Sequence, residues 1–179
     1  MPDTRGILRQ FCTDCCSYLN AQSIETKIGK YRLELSSRTL SDIVEKRTID
    51  YMIDYFGEDK VSFGNWRGYD VVIITLEETL YVNVKTNEQN PNLDATWLCS
   101  ASVIDHLREQ AILDHLYCVK FEYIKRGRDT LQFVCGKVAG PVSDINLIYY
   151  TKGQLEPTQY RLRTEFNGKH CHILERDYE

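Results

Sequence analysis

Gly68-Tyr69-Asp70-Val71-Val72-Ile73-Ile74-Thr75, then Leu76-Glu77-Glu78-Thr79, then Leu80-Tyr81-Val82-Asn83-Val84-Lys85-Thr86 is the stretch that decides how the chain is organised. Two short runs rich in β-branched residues, parted by a few polar ones, predict a β-hairpin with an acidic residue, Asp70, opening its first strand. Side chains alternate along a strand, so Asn83 and Lys85 share one face of the second strand while Val82 and Val84 take the other. An aspartate at the mouth of one strand, with an oxygen ligand and a lysine on the next, suits metal-assisted attack on a phosphodiester. Oxygen donors hold Mg²⁺, and an ammonium stabilises phosphate charge or orients a water. The competing expectation is an antiparallel hairpin with a solvated face, on which Asn and Lys are ordinary.

Working upstream, Lys60-Val61-Ser62-Phe63 predicts a short strand, joined to the hairpin by the turn Gly64-Asn65-Trp66-Arg67-Gly68. Before it, Thr39 followed by Asp42 marks a helix start, and Leu40, Ile43, Val44, Tyr51, Met52 and Tyr55 recur at helical spacing until Gly57. Glu45 lies in line with Ile49, Met52 and Phe56 on the flank of that helix. An inward carboxylate is costly unless paired or liganded, and a surface glutamate is the commoner outcome. Tyr31 to Leu35 predicts a strand, and residues 6–20 a short amphipathic helix for packing or dimerisation.

Downstream, residues 86 to 94 predict an amide-rich polar loop. Asn and Gln pair bidentately with adenine edges, so Thr86, Asn87, Gln89, Asn90 and Asn92 are candidate DNA-reading positions, with a solvated loop as the alternative. Ser100 to Leu116 predicts a helix and Tyr117 to Ile124 a strand. The turn Lys125-Arg126-Gly127-Arg128-Asp129 leads into Leu131-Gln132-Phe133-Val134-Cys135, a second hairpin whose tip, with Arg126 and Arg128, could hold a phosphate. Residues 140–179 show weak periodicity, a strand-like Leu147-Ile148-Tyr149-Tyr150 and a basic-aromatic Tyr160-Arg161-Leu162-Arg163.

The chain has 179 residues, 42% of them hydrophobic and 27% charged, which predicts one globular domain with a sizeable core. No apolar run approaches the roughly 20 residues of a membrane span, and the first residues lack a signal-peptide core, so a cytoplasmic protein is expected. A net charge of −4 argues against generic coating of nucleic acid, yet a nuclease is acidic when its carboxylates await metal and its cations gather on one face. Seven scattered cysteines do not make a disulfide framework. Cys12-Thr13-Asp14-Cys15-Cys16 with His170-Cys171-His172 is a weak candidate zinc set, and none of the four histidines favours a cysteine nucleophile.

Helix 39–56, strands 60–63, 69–75 and 80–86, helix 100–116 and strand 117–124 give an order that resembles the αβββαβ core of the PD-(D/E)XK nuclease superfamily, which includes most type II restriction endonucleases. In that family an aspartate opens one strand, and an acidic residue and a lysine separated by one residue sit on the next; Asp70, Asn83 and Lys85 fall on those places, and Glu45 falls where some members carry a helix glutamate. The resemblance covers residues 39–124, with the N-terminal helix and residues 140–179 as additions. It implies an α/β fold with a mixed central sheet flanked by helices, Mg²⁺ held by Asp70, Asn83 and Glu45, Lys85 at the phosphate, and a homodimer cutting double-stranded DNA at a specific sequence. A structure-specific repair or junction nuclease and a non-catalytic DNA-binding member are the alternatives. Asn83 departs from the family's acidic residue. An amide ligand, a replaced acidic residue, charge supplied by Glu45 or more weakly Glu78, and a degenerate binding-only member are the explanations it leaves open.

Overall fold

The computed structural model of the protein describes residues 4–21, 27–28, 31–32, 37–64, 68–89, 98–126, 130–141, 147–150 and 159–162. Two long helices come first. Helix α1 (Thr4–Ala21) buries Leu8, Phe11, Cys12, Cys15 and Leu19, a single stripe at steps of three and four. After a two-stranded ribbon, β1 (Lys27–Ile28) with β2 (Tyr31–Arg32), helix α2 (Ser37–Phe56) buries Leu40, Val44, Ile49 and Met52. The two helices meet through aromatic rings: Phe11 lies 5.7 Å from Tyr51 and 5.6 Å from Phe56, and Tyr18 stacks on Tyr51 at 4.5 Å. Gly57 ends α2 in a left-handed conformation (φ 105°), its N–H donating to Ile53 O at 2.9 Å, a geometry that a Cβ would strain.

The main sheet has five strands in the order β3 (Val61–Phe63), β4 (Val71–Ile74), β5 (Thr79–Glu88), β7 (Leu116–Arg126), β8 (Thr130–Ala139). β3, β4 and β5 are antiparallel, with Val61 opposite Ile73 and Ile73 opposite Leu80. β5 and β7 are neighbours although β6 (Leu98–Ser100) and helix α3 (Ala101–Glu109) come between them in sequence. Thr86 Oγ1 donates to Phe121 O (2.9 Å) and Gln89 N–H to Tyr123 O (2.7 Å), so both bonds advance in the same direction and the two strands run parallel. The sheet is therefore mixed and the chain α/β, as expected. A second, antiparallel sheet has the order β6, β10 (Gln159–Leu162), β9 (Leu147–Tyr150).

Residue contacts cluster into two compact units, Met1–Asp59 with Val84–Ala95 and Val119–Val138, and Lys60–Asn83 with Thr96–Cys118 and Ala139–Glu179. In the first unit Gly136 of β8 comes against Cys12 of α1 and the ring of Phe121; a Cβ there would stand 2.8 Å from the Cys12 Cβ, so only glycine allows this approach. β8 is an edge strand, and the Asn20 side chain at the end of α1 serves Phe133 as a strand would, donating to its carbonyl at 2.9 Å and accepting from its N–H at 2.8 Å. In the second unit Val71, Ile73, Leu80 and Val82 form the buried side of the hairpin, and Ile104 and Leu107 that of α3.

Three boundaries differ from the sequence reading. β5 runs on to Glu88, so Thr86 and Asn87 belong to the strand and not to the polar loop; the neighbouring β7 supplies the pairing that their own propensity does not. α3 stops at Glu109 instead of Leu116. Ala111 takes a left-handed φ of 54°, Ile112 N–H reaches back to Leu107 O (2.9 Å) and Ala111 N–H to Arg108 O (3.0 Å), a helix stop of the kind glycine usually marks, and residues 113–115 then form one 3-10 turn. β7 runs two residues beyond the expected Ile124 to Arg126, and it is buried on both faces from Leu116 to Tyr123.

Candidate active site

Asp70 opens β4 at an irregularity. Val71 is the Cα partner of Val82, yet the Asp70 N–H also donates to Val82 O (2.9 Å), so two residues face one and the strand bulges at the aspartate. A bulge adds local twist and re-aims side chains, which suits the first residue of a site. The Asp70 carbonyl accepts from Gly64 N–H (2.8 Å), and the preceding Tyr69 packs edge-on against Tyr81 with ring centroids 5.0 Å apart. Burial, and then the neighbouring Tyr81, hold the Tyr69 hydroxyl above its ordinary range, so it stays a neutral donor.

Asn83 follows Val82 on the opposing strand. The alternative of a solvated face does not hold here: Asn83 is 4% exposed, and its Oδ1 is buried with no hydrogen-bond partner among the described residues. Leaving a buried acceptor unmade costs about 1–3 kcal/mol, so a folded protein keeps one chiefly where something else fills it. Lys85, two residues on along β5, is half-buried and makes no ion pair or hydrogen bond among the described residues. Val82 and Val84, the residues on either side of Asn83, are fully buried on the other face.

Glu45 is half-buried on α2, one step from Val44 and four from Ile49, on the flank expected from its spacing. Glu78 is disqualified as a source of missing charge. It lies in the β4–β5 turn with His115 Nδ1 at 3.0 Å from its Oε2, and five residues of extended strand, roughly 17 Å, separate it from Asn83. Thr75 locks that turn, its Oγ1 donating to Glu78 O (2.8 Å) and accepting from Glu78 N–H (3.0 Å).

Of the candidate DNA-reading positions, Thr86 is buried with its hydroxyl donated to Phe121, so it serves the sheet and is corrected to a structural residue. Asn87 lies in β5. Gln89 is exposed at the strand's end, anchored by its N–H to Tyr123 O. Arg126 is exposed and its Nε donates to Gln132 Oε1 (2.7 Å), while neighbouring Lys125 pairs with Glu88 (2.9 Å), so part of the positive charge near the tip is already answered. Asn90, Asn92 and Arg128 lie outside the described residues, as do His170, Cys171 and His172 of the candidate zinc set. At the other end of that set, burial pushes the Cys15 thiol up to about 12, so it stands in the protein as a neutral thiol, which does not suit a nucleophile.

One pair was missed. Lys120 and Glu122 on β7, side chains 1% and 8% exposed, form an ion pair with Nζ–Oε1 3.2 Å. Alternation with Val119, Phe121 and Tyr123 marks a strand but does not say whether its polar side faces water; burial along both faces of β7 shows that it does not.

Among the described residues no three His, Cys, Asp or Glu side chains gather to hold a metal. Magnesium does not require such a cage, since it keeps several waters and takes one or two protein oxygens plus substrate phosphate. The orphaned Asn83 Oδ1 and the Asp70 carboxyl fit that demand.

No protein-family model matches the chain, and no curated protein matches it. Among solved structures it is similar to the NlaIV restriction endonuclease, with a TM-score of 0.59 and 12% sequence identity over 98% of this chain and 76% of that one. The fold is thus restriction-endonuclease-like. Among the described residues no helix is long and apolar enough to cross a membrane.

Proposed function

We propose that the protein is a Mg²⁺-dependent endonuclease that hydrolyses phosphodiester bonds in double-stranded DNA at a specific sequence. The observation that carries the reading is the pair of unsatisfied polar groups on β5, a buried Asn83 Oδ1 without a partner and a half-buried Lys85 without one among the described residues, on a fold shared with a restriction endonuclease. Such groups are costly in the protein alone and are answered together by a cation and a phosphate.

In this reading Asp70 and the Asn83 carbonyl hold Mg²⁺, with Glu45 as a further ligand or its support. The bound ion supplies Lewis-acid polarisation of the phosphate and a lower pKa for water. Lys85 holds the attacking water or stabilises the charge that grows on the phosphorane, and aims its ammonium without first leaving another partner. Gln89, Asn87, Asn90 and Asn92 are the base-reading residues of this proposal, and Arg126 and Arg128 its backbone-phosphate contacts. A homodimer matches a palindromic site by its own two-fold symmetry.

Digestion of plasmid and phage DNA with Mg²⁺, and again with a chelator, tests the reading. Discrete fragments that disappear with chelator are expected. Cleavage confined to branched DNA would make the protein a junction nuclease, and binding without cleavage at any metal concentration would leave a DNA-binding relative of the fold.

A further inference from the structure

The Lys120–Glu122 pair has no part in the site described so far, yet both side chains are buried on a strand whose other residues from Leu116 to Tyr123 are mostly apolar. Replacing a buried ion pair by well-packed hydrophobic residues is often neutral or stabilising, so stability alone does not account for these two charges. Their position does. The Gln89 N–H bond to Tyr123 O and the Thr86 hydroxyl bond to Phe121 O set a register in which Thr86 stands beside Phe121 and Lys85 beside Lys120. Phe121 faces Gly136 and α1, so Lys120 and Glu122, one residue to either side, take the opposite face of β7 together with Lys85 on β5. Neighbouring strands lie about 4.8 Å apart, and two residues along a strand add about 6.6 Å, so the Glu122 Cα is roughly 8 Å from that of Lys85, within reach of two long side chains.

Glu122 is therefore a natural trap for Lys85. In the structure the trap is filled: Lys120 Nζ lies 3.2 Å from Glu122 Oε1, while Lys85 makes no ion pair among the described residues. We propose that Lys120 is a positioning residue that keeps Lys85 available for phosphate, by occupying the Glu122 carboxylate and by repelling the Lys85 ammonium from it. The buried pair is a guard. Its two members have unequal duties: without Lys120 the carboxylate captures Lys85, whereas without the carboxylate nothing does. That asymmetry separates a positioning role from a structural one, because either single change breaks the same ion pair but only the loss of Lys120 draws Lys85 away. The consequence for catalysis rests on the reading of Lys85 as the cation at the phosphate; the geometry of the guard does not.

The test compares Lys120→Met, Lys120→Gln, Glu122→Gln and the double change Lys120→Met with Glu122→Met, at a temperature where each is folded by circular dichroism. Acylation of Lys85 by an amine-reactive ester, followed by peptide mass spectrometry, reports whether its amine is covered and needs no DNA. Lys120→Met should slow this acylation about tenfold, the population shift that one charge-assisted bond brings, and lower kcat for duplex DNA by a similar factor with KM nearly unchanged. Glu122→Gln and the double variant should leave Lys85 reactivity within about twofold of the parent. Lys120→Gln still donates to Glu122 but carries no charge, so it should fall between them and keeps the test decisive where Lys120→Met does not fold. Equal slowing in Lys120→Met and Glu122→Gln, or unchanged acylation in folded Lys120→Met or Lys120→Gln, would overturn the proposal. The expected acylation pattern in a protein that cuts no DNA would uphold the guard and overturn only the nuclease reading.

Discussion

Strands β5 and β7 both carry polar side chains two residues apart, but they treat them in opposite ways. On β7 Lys120 and Glu122 are buried and satisfy each other at 3.2 Å. On β5 Asn83 is buried with an unanswered Oδ1, and Lys85 has no partner among the described residues. Two opposite charges in contact answer each other within the strand; an oxygen acceptor and a cation that do not are complementary to a bound cation and an anion. The difference is what motivates placing a ligand on β5, since polar residues two apart on a strand mean little until their partners are known.

The largest expected effect breaks the closed pair. Lys120→Met and Glu122→Gln each remove one partner of a buried ion pair and should cost up to about 3–5 kcal/mol, Lys120→Met the less because Lys85 comes to the carboxylate, whereas the double change to Met should return to within about 1 kcal/mol of the parent or exceed it. Urea unfolding of the four proteins measures this cycle. If the single changes cost no more than the double one, the charges on β7 are not a closed pair and the contrast with β5 fails.

Lys85→Ala is the counterpart on the open strand. It should change stability by no more than about 0.5 kcal/mol, because no partner is lost, while DNA cleavage falls on the order of a hundredfold. A Lys85→Ala protein that unfolds as easily as Lys120→Met would show that Lys85 is held by the fold after all.

The hairpin and α2 were legible because their signals are local: β-branched runs around a polar turn for residues 70–86, and apolar residues at helical spacing ended by a left-handed Gly57. Asp70, Asn83 and Lys85 were placed on the right elements by the same signals. What the sequence did not carry is what covers each face. Alternation in residues 117–124 is equally that of a half-solvated strand and that of a strand buried on both sides, so the Lys120–Glu122 pair went unnoticed. The end of α3 was hidden because alanine occupies the left-handed position where glycine would have announced it, and the reach of β5 to Glu88 depends on a neighbour supplied some 30 residues later in the chain.

Asn83→Leu sharpens the comparison from the other side. Leucine has the same number and branching of side-chain heavy atoms as asparagine and needs no hydrogen bond, so, once the bulkier methyls are accommodated, removing the orphaned Oδ1 should stabilise the fold by about 1–3 kcal/mol at most while abolishing Mg²⁺-dependent cleavage. The urea midpoint should rise with an unchanged slope. A destabilised Asn83→Leu protein would mean that the amide is satisfied in solution, and β5 would then resemble β7 rather than oppose it.

Ala111→Gly is the smallest effect and calibrates the others, because it relieves strain with no charge and no ligand involved. Ala111 sits exposed at φ 54°, in the turn that ends α3 before β7 begins. A Cβ in the left-handed region costs roughly 1–2 kcal/mol, and glycine gives back part of the gain through the greater freedom of the unfolded chain, leaving a net stabilisation of about 0.5–1 kcal/mol. Cleavage should not change. A gain as large as that of Asn83→Leu would show that ordinary backbone strain matches the cost of the orphaned amide, and that the open pair on β5 is no more demanding of a ligand than a helix stop is; a gain well below it leaves the unanswered acceptor as the costlier feature, and the one that a bound cation explains.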